Sequence, residues 1–204
     1  VNLDCWDYLH TNPNAIHILE KNLDKVNWSY LSCNPNAIHI IEQNLDKVHW
    51  YALSGENQNA IPLLEKNLDK VDWGALSRNP NAIHILEKNL DKLDEDDWAN
   101  LSSNPNAIHI LEENLDKMTT SCWVNLSSNP NAIPLLEQHL DKMTTECWEQ
   151  LSSNPNAIHI IEQNLEYMES YWLLCGAYLF ENPNIFTIDY NAMKTNMYKE
   201  GSNC

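Results

Sequence analysis

The chain has 204 residues, with Lys plus Arg at 12 and Asp plus Glu at 29, a net charge of −17. That balance argues against nucleic acid, where Lys/Arg contacts to phosphate carry the affinity, and against anionic membrane surfaces. A single arginine (Arg78) and 4 glycines leave no material for a bidentate phosphate clamp or a glycine-rich nucleotide loop.

Tryptophan recurs along the whole chain, at Trp6, Trp28, Trp50, Trp73, Trp98, Trp123, Trp148 and Trp172, in steps of 22, 22, 23, 25, 25, 25 and 24. Around it the pattern W-x-x-L-S-x-N-P-N-A-I-H-I-L-E-K-N-L-D-K-V fits seven times. Such a period means stacked units, none able to bury its own apolar face. The fold class expected is all-α, an α/α solenoid of about eight short helix-turn-helix repeats. Residues 1–171 would hold seven tandem repeats, and residues 172–204 a degenerate eighth repeat and a C-terminal cap. Stacking helices about 10 Å apart would give a rod on the order of 70–80 Å. No segment reaches the roughly 20 apolar residues of a spanning helix, the longest run being Trp172 to Phe180. No signal segment opens the chain, so a soluble protein is expected.

Within each unit two helices are predicted. From Asn34 onward, Ala37, Ile38, Ile41, Leu45 and Val48 form an apolar stripe at helical spacing. The position of His39 is Pro62 in the third unit and Pro134 in the sixth. Proline is tolerated only in a first turn, which places the cap at Asn36 rather than Asn34. The next helix is expected to begin at Asp46 and run through Trp50 to Ser54. In later units three residues precede the tryptophan (94–96, 119–121, 144–146). They predict an altered loop or one extra helical turn, recapped by Thr119/Thr120 and Thr144/Thr145. At the far end Asp189 could cap a last helix bearing Tyr190, Met193 and Met197.

The unit Leu76-Ser77-Arg78-Asn79-Pro80-Asn81-Ala82-Ile83-His84-Ile85-Leu86-Glu87-Lys88-Asn89 resembles the short repeats of giant-virus proteins (nucleocytoplasmic large DNA viruses of algae and protists). The resemblance covers nearly the whole chain. In that family the second helix usually opens with Asn-Pro-Asp, whereas here Leu45 and its equivalents replace the proline. The resemblance implies a viral origin and an interaction role, in host cytoplasm or virion, and supplies no catalytic residues.

The chemistry-bearing residues read as structural. Glu42, Asp46 and their equivalents recur in nearly every unit. Caps and solvated faces explain that better than a glycosidase-like pair, which needs two carboxylates in unlike environments. His17, His39, His84, His109 and His159 share one column and are read as boundary histidines. A pH-responsive contact is one alternative; metal ligation is another, disfavoured because neighbours one helix spacing apart cannot share an ion. Cys5, Cys33, Cys122, Cys147, Cys175 and Cys204 form no C-x-x-C and are read as reduced thiols. The asparagine columns (Asn34, Asn36, Asn44) are read as turn and cap hydrogen bonds between stacked units rather than carbohydrate contacts. No cofactor or metal is expected.

Specificity must then sit where the repeat varies. The two residues after each tryptophan change freely, so they are expected to form an exposed ridge, with Tyr8, Tyr30, Tyr51, Asn100, Asn125 and Gln150 as partner-binding residues. The function expected is a non-enzymatic scaffold for a protein partner. The alternatives are a structural component of a virus particle and a hydrolase with an unrecognised site.

Overall fold

The structure is a computed structural model and describes residues 4–164; the expected eighth repeat and C-terminal cap lie outside these residues. Among the described residues the chain is all-helical, with fourteen α-helices. Seven odd-numbered helices carry the tryptophans: α1 (Asp4–Thr11), α3 (Trp28–Cys33), α5 (Trp50–Glu56), α7 (Trp73–Arg78), α9 (Glu95–Ser102), α11 (Thr120–Ser128) and α13 (Thr145–Ser153). The even-numbered helices follow the Asn-Pro-Asn turns: α2 (Ile16–Leu19), α4 (Ile38–Glu42), α6 (Ile61–Glu65), α8 (Ile83–Glu87), α10 (Ile108–Glu113), α12 (Ile133–Gln138) and α14 (Ile158–Gln163). Two compact units are formed, Val1–Cys122 and Trp123–Cys204. In the first, α1, α3, α5, α7 and α9 pack each on the next, the arrangement of an α/α repeat solenoid.

Helices of four to nine residues are too short to persist alone, so packing must hold them. Three columns are fully covered. Leu31, Leu53, Leu76 and Leu101 lie three residues after the tryptophan. Ile41, Leu64, Leu86 and Leu111 sit on the even helices, and Ala37, Ala60, Ala82 and Ala107 close the Asn-Pro-Asn turn. The same columns continue in the second unit as Leu126 and Leu151, Leu136 and Ile161, and Ala132 and Ala157.

The cap of the Asn-Pro-Asn turn is Asn34, not Asn36. Its side-chain oxygen accepts from the Asn36 N–H at 3.0 Å, and Pro35 opens a 3₁₀ turn, Pro35–Ala37. At Ala37 the backbone (φ −91, ψ 2) leaves α geometry, and the α-helix starts afresh at Ile38. That restart is why proline is accepted there. Pro62 and Pro134 are each second in their α-helix, where no intrahelical N–H bond is lost.

The following helix starts later than Asp46. Leu45–Lys47 is a separate turn, tied by the Lys47 N–H to the Asn44 carbonyl at 3.0 Å, and α5 begins at Trp50. The cap is the residue just before the tryptophan: Asn27 accepts from the Ser29 N–H, His49 from Ala52 and Asp72 from Ala75. Nor does α4 extend to Leu45 and Val48. It stops at Glu42, where the Asn44 amide donates back to the Ile40 carbonyl at 2.9 Å.

The three-residue insertions are an extra helical turn. Helices α3, α5 and α7 have 6, 7 and 6 residues, against 8, 9 and 9 for α9, α11 and α13. Asp94 and Asp97 form a reciprocal capping box on α9, and Thr144 caps α13. The added turn changes how the indole is covered. Trp28, Trp50 and Trp73 are half-buried, whereas Trp98, Trp123 and Trp148 are buried. In the short repeats the lysine of the same hairpin supplies cover: Lys25 lies 5.3 Å from Trp6, Lys47 5.3 Å from Trp28 and Lys70 5.4 Å from Trp50.

Candidate partner-binding ridge

The polar contacts that join successive repeats form a ladder built on the first asparagine of each Asn-Pro-Asn turn, which is Asn57-Gln58-Asn59 in the third repeat. Asn57 donates from Nδ2 to the carbonyls of Ser32 and Asn34, both at 2.9 Å. Asn104 does the same to Ser77 at 2.9 Å and Asn79 at 3.1 Å, and Asn154 to Ser127 at 2.9 Å and Asn129 at 3.0 Å. These side chains are buried, and they satisfy carbonyls at the end of the preceding repeat's odd helix. The second asparagine works at the surface: Asn59, Asn106 and Asn156 donate to the proline carbonyl one repeat back. This is the inter-unit hydrogen bonding read from the sequence.

A second ladder joins the even helices. His39 Nε2 pairs with Glu20, His84 with Glu65 at 3.0 Å, and His109 with Glu87 at 2.6 Å; in the second unit His159 pairs with Glu137 at 2.7 Å. Each pair is about half-exposed, so each contributes little to stability. Sequence reasoning missed these partners. The signal was available, since histidine and glutamate keep a fixed place in the repeat wherever proline does not intervene. Among the described residues no group of three or more His, Cys, Asp or Glu is arranged to hold a metal ion.

A third series runs through the short repeats. The serine four residues after the tryptophan accepts the N–H of the next repeat's cap residue: Ser32 from His49 at 3.1 Å and Ser54 from Asp72 at 3.2 Å. His10 takes this place in the first repeat, its Nε2 accepting from Asn27 at 2.8 Å. The cap of the next, first long repeat is Asp94, and its N–H is donated instead to Asp97 Oδ2 at 3.1 Å. The Ser77 hydroxyl is buried and has no hydrogen-bond partner.

Several titrations are displaced among the described residues. Burial raises the Asp97 carboxyl, and the neighbouring Asp94, Asp72 and Asp96 carboxylates add to the rise against an opposing backbone hydrogen bond. The Cys33 thiol is pushed up to about 12, by burial first and then by its hydrogen bond to Glu56 and that carboxylate's charge. Lys142 lowers Asp141, and the helix-start N–H of Glu146 together with Thr144 lowers Glu146. Cys33, Cys122 and Cys147 are free thiols, the last two buried.

The expected ridge is only partly exposed. Tyr8 is 78% exposed, Tyr30 44% and Tyr51 51%, on the consecutive packed helices α1, α3 and α5. Tyr30 tilts over the His10 ring and Tyr51 meets His49 edge-on, each at 6.3 Å. The column of Tyr8 and Tyr30 closes at α5, where it passes to Ala52 while Tyr51 stands one residue earlier, which corrects the expectation of free variation. Ala52, Ala75 and Ala99 are buried. A methyl on Gly55 would come within 3.2 Å of the Ala75 Cβ, and one on Gly74 within 3.0 Å of Asp97 Oδ1. Small residues stand there because neighbouring odd helices approach closely. Asn100 is half-buried: its side-chain oxygen accepts from Arg78 Nε at 3.0 Å, and its amide donates to the Gly74 carbonyl at 3.3 Å. Asn125 is half-buried and Gln150 exposed on the second unit. The tyrosines are thus exposed on successive helices, while Asn100 belongs to the packing between α7 and α9.

One open depression lies in the second unit, about 390 Å³, lined by Leu140, Asp141, Met143, Trp148 and Asn164. No helix among the described residues is long and apolar enough to cross a membrane. No protein-family model, curated protein or solved structure matches the chain.

Proposed function

We propose that the chain is a non-enzymatic helical-repeat scaffold that holds a protein partner on the ridge of its odd helices, at the Tyr8–Tyr30–Tyr51 end. The observation that carries this reading is three exposed tyrosines on consecutive helices, Tyr8 and Tyr30 two residues after the tryptophan and Tyr51 one residue after it, followed on α7 and α9 by buried Ala75 and Ala99. Tyrosine is enriched at interfaces because it brings a large contact surface with few rotatable bonds. Side chains fixed on packed helices are also preorganised, so association loses little entropy. The non-enzymatic half of the proposal is supported by the recurrence of carboxylate and imidazole in one repeated contact rather than their convergence in a single pocket. The repeat's resemblance to those of giant viruses supports a viral origin, with action in the host cytoplasm or the virion.

The test is affinity purification of the tagged chain from expressing cells, followed by mass spectrometry, beside a Tyr8→Ala/Tyr30→Ala/Tyr51→Ala variant. The proposal expects a discrete protein retained by the native chain and lost by the variant. Retention by both, or stoichiometric recovery of the chain in purified particles with no separate partner, overturns it.

A further inference from the structure

Each joint between repeats has a donor side and an acceptor side. On the donor side an asparagine amide reaches back to carbonyls and a histidine reaches back to a glutamate; Asn34 and His39, for example, both engage the first repeat, at the His10 carbonyl and at Glu20. An aliphatic residue beside them is sealed: Ile40, Leu63, Ile85, Ile110, Leu135 and Ile160 are all 4% exposed or less. The asparagines Asn34, Asn57, Asn79, Asn104, Asn129 and Asn154 are buried likewise. The first repeat presents this same side to the outside. Ile18, in the column of Ile40, is 36% exposed, and Asn12, in the column of Asn34, is exposed. The Asn12 side-chain oxygen accepts from the Asn14 N–H at 2.9 Å, but its amide donates to nothing among the described residues. His17 has no carboxylate partner among them either, whereas His39, His84, His109 and His159 each have one.

We infer that the outer face of the first repeat, built from Asn12, His17 and Ile18, is a docking site for the acceptor end of a helical repeat of this same pattern, carried by another protein. The face continues the joints of the array and repeats their chemistry, so what fits it is what fits them. The last carbonyls of a tryptophan helix take the asparagine amide, a glutamate on the following even helix takes the histidine, and apolar cover closes over the aliphatic residue. A partner lacking that combination would bury donors without acceptors, which costs affinity. A second copy of the chain does not supply it from its described repeats, because their carbonyl ends are taken: His10 by Asn34, Ser32 by Asn57, Ser54 by Asn79, Ser77 by Asn104 and Ser127 by Asn154, while Ser102 and Ser152 are not free either. The inference does not depend on the tyrosine reading, since it uses none of those side chains.

The experiment is titration of the full chain into a fluorescein-labelled peptide of residues 28–47, followed by fluorescence anisotropy. That peptide is one repeat, with the Ser32 and Asn34 carbonyls and Glu42 as its acceptor end. Its helices are too short to persist alone, so ellipticity at 222 nm should deepen on binding. Saturable binding below about 1 mM is expected. Ile18→Glu in the chain, which sets a charge against the apolar seal, should weaken it by about tenfold or more. Asn12→Asp keeps the acceptor for the Asn14 N–H but removes the amide donor, so it should weaken the peptide by about fivefold or more while the far-UV spectrum of the chain stays unchanged. Tyr30→Ala/Tyr51→Ala should bind as the native chain does. Absence of saturable binding, indifference to Ile18→Glu and Asn12→Asp, or equal binding of a scrambled peptide overturns the inference. So does self-association of the chain in sedimentation velocity that Ile18→Glu abolishes, because the face would then take a second copy.

Discussion

Replacing Asn57 by alanine tests what joins one repeat to the next. The side chain is fully buried, donates twice at 2.9 Å to the previous repeat, and accepts from the Asn59 N–H at 3.1 Å. Three bonds at about 1 kcal/mol each give a loss near 3 kcal/mol, more if the Ser32 and Asn34 carbonyls stay dry. With a urea dependence of about 1–3 kcal/mol per molar, the unfolding midpoint should fall by about 1–3 M. Asn57→Asp should be worse than Asn57→Ala, although it is closer in shape. A carboxylate keeps the acceptor but has no N–H to give, and it would face two carbonyl oxygens in a dry site. Urea titration followed by circular dichroism at 222 nm ranks the three proteins. An alanine variant within 1 kcal/mol of native, or an aspartate variant more stable than the alanine one, would refute the ladder as a source of cohesion.

Three further outcomes follow from named atoms. Ser77→Ala should raise stability by about 1 kcal/mol, because it removes a buried hydroxyl without a partner, whereas Ser54→Ala should lower it by a similar amount; paired thermal melts read the opposite signs. Asp97 is raised by burial, so the folded chain holds its proton to higher pH than the unfolded chain does. Its contribution is therefore most favourable below the ordinary carboxylate value and declines as pH rises through the raised one. Melting temperatures of native and Asp97→Asn chains, measured from pH 3.5 to 7, should diverge upward in favour of the variant. Cys33, its thiol pushed up to about 12, should alkylate far more slowly at pH 8 than an ordinary cysteine, and Glu56→Gln should speed it; peptide mass spectrometry after timed iodoacetamide treatment measures both rates.

Much of this fold is legible in the chain because one pattern is written seven times. Leucine at three after each tryptophan, alanine after Asn-Pro-Asn and isoleucine or leucine in the even helices are invariant or nearly so, and those are the fully covered columns. Helix boundaries were less legible. The choice of Asn36 over Asn34 assumed one uninterrupted helix, whereas a 3₁₀ turn resets the count before Ile38. Asp46 was a plausible cap by residue type, yet the turn at Leu45–Lys47 stands apart from α5. The ridge was half legible. Variation marked positions that prove exposed at Tyr8, Tyr30 and Tyr51, but variation between alanine and glycine reflects how closely two helices approach, which no single repeat records. The histidine–glutamate pairs depend on the offset between neighbouring repeats, a quantity that no single unit contains.

The orphaned serine marks a seam where two dialects of one repeat meet. Units upstream of it share a backbone handshake that units downstream have exchanged for a self-contained helix start. Gene rearrangements that lose or duplicate whole units would therefore be silent on either side of residue 77 and disruptive across it. An array of this kind lengthens or shortens most easily within its own dialect.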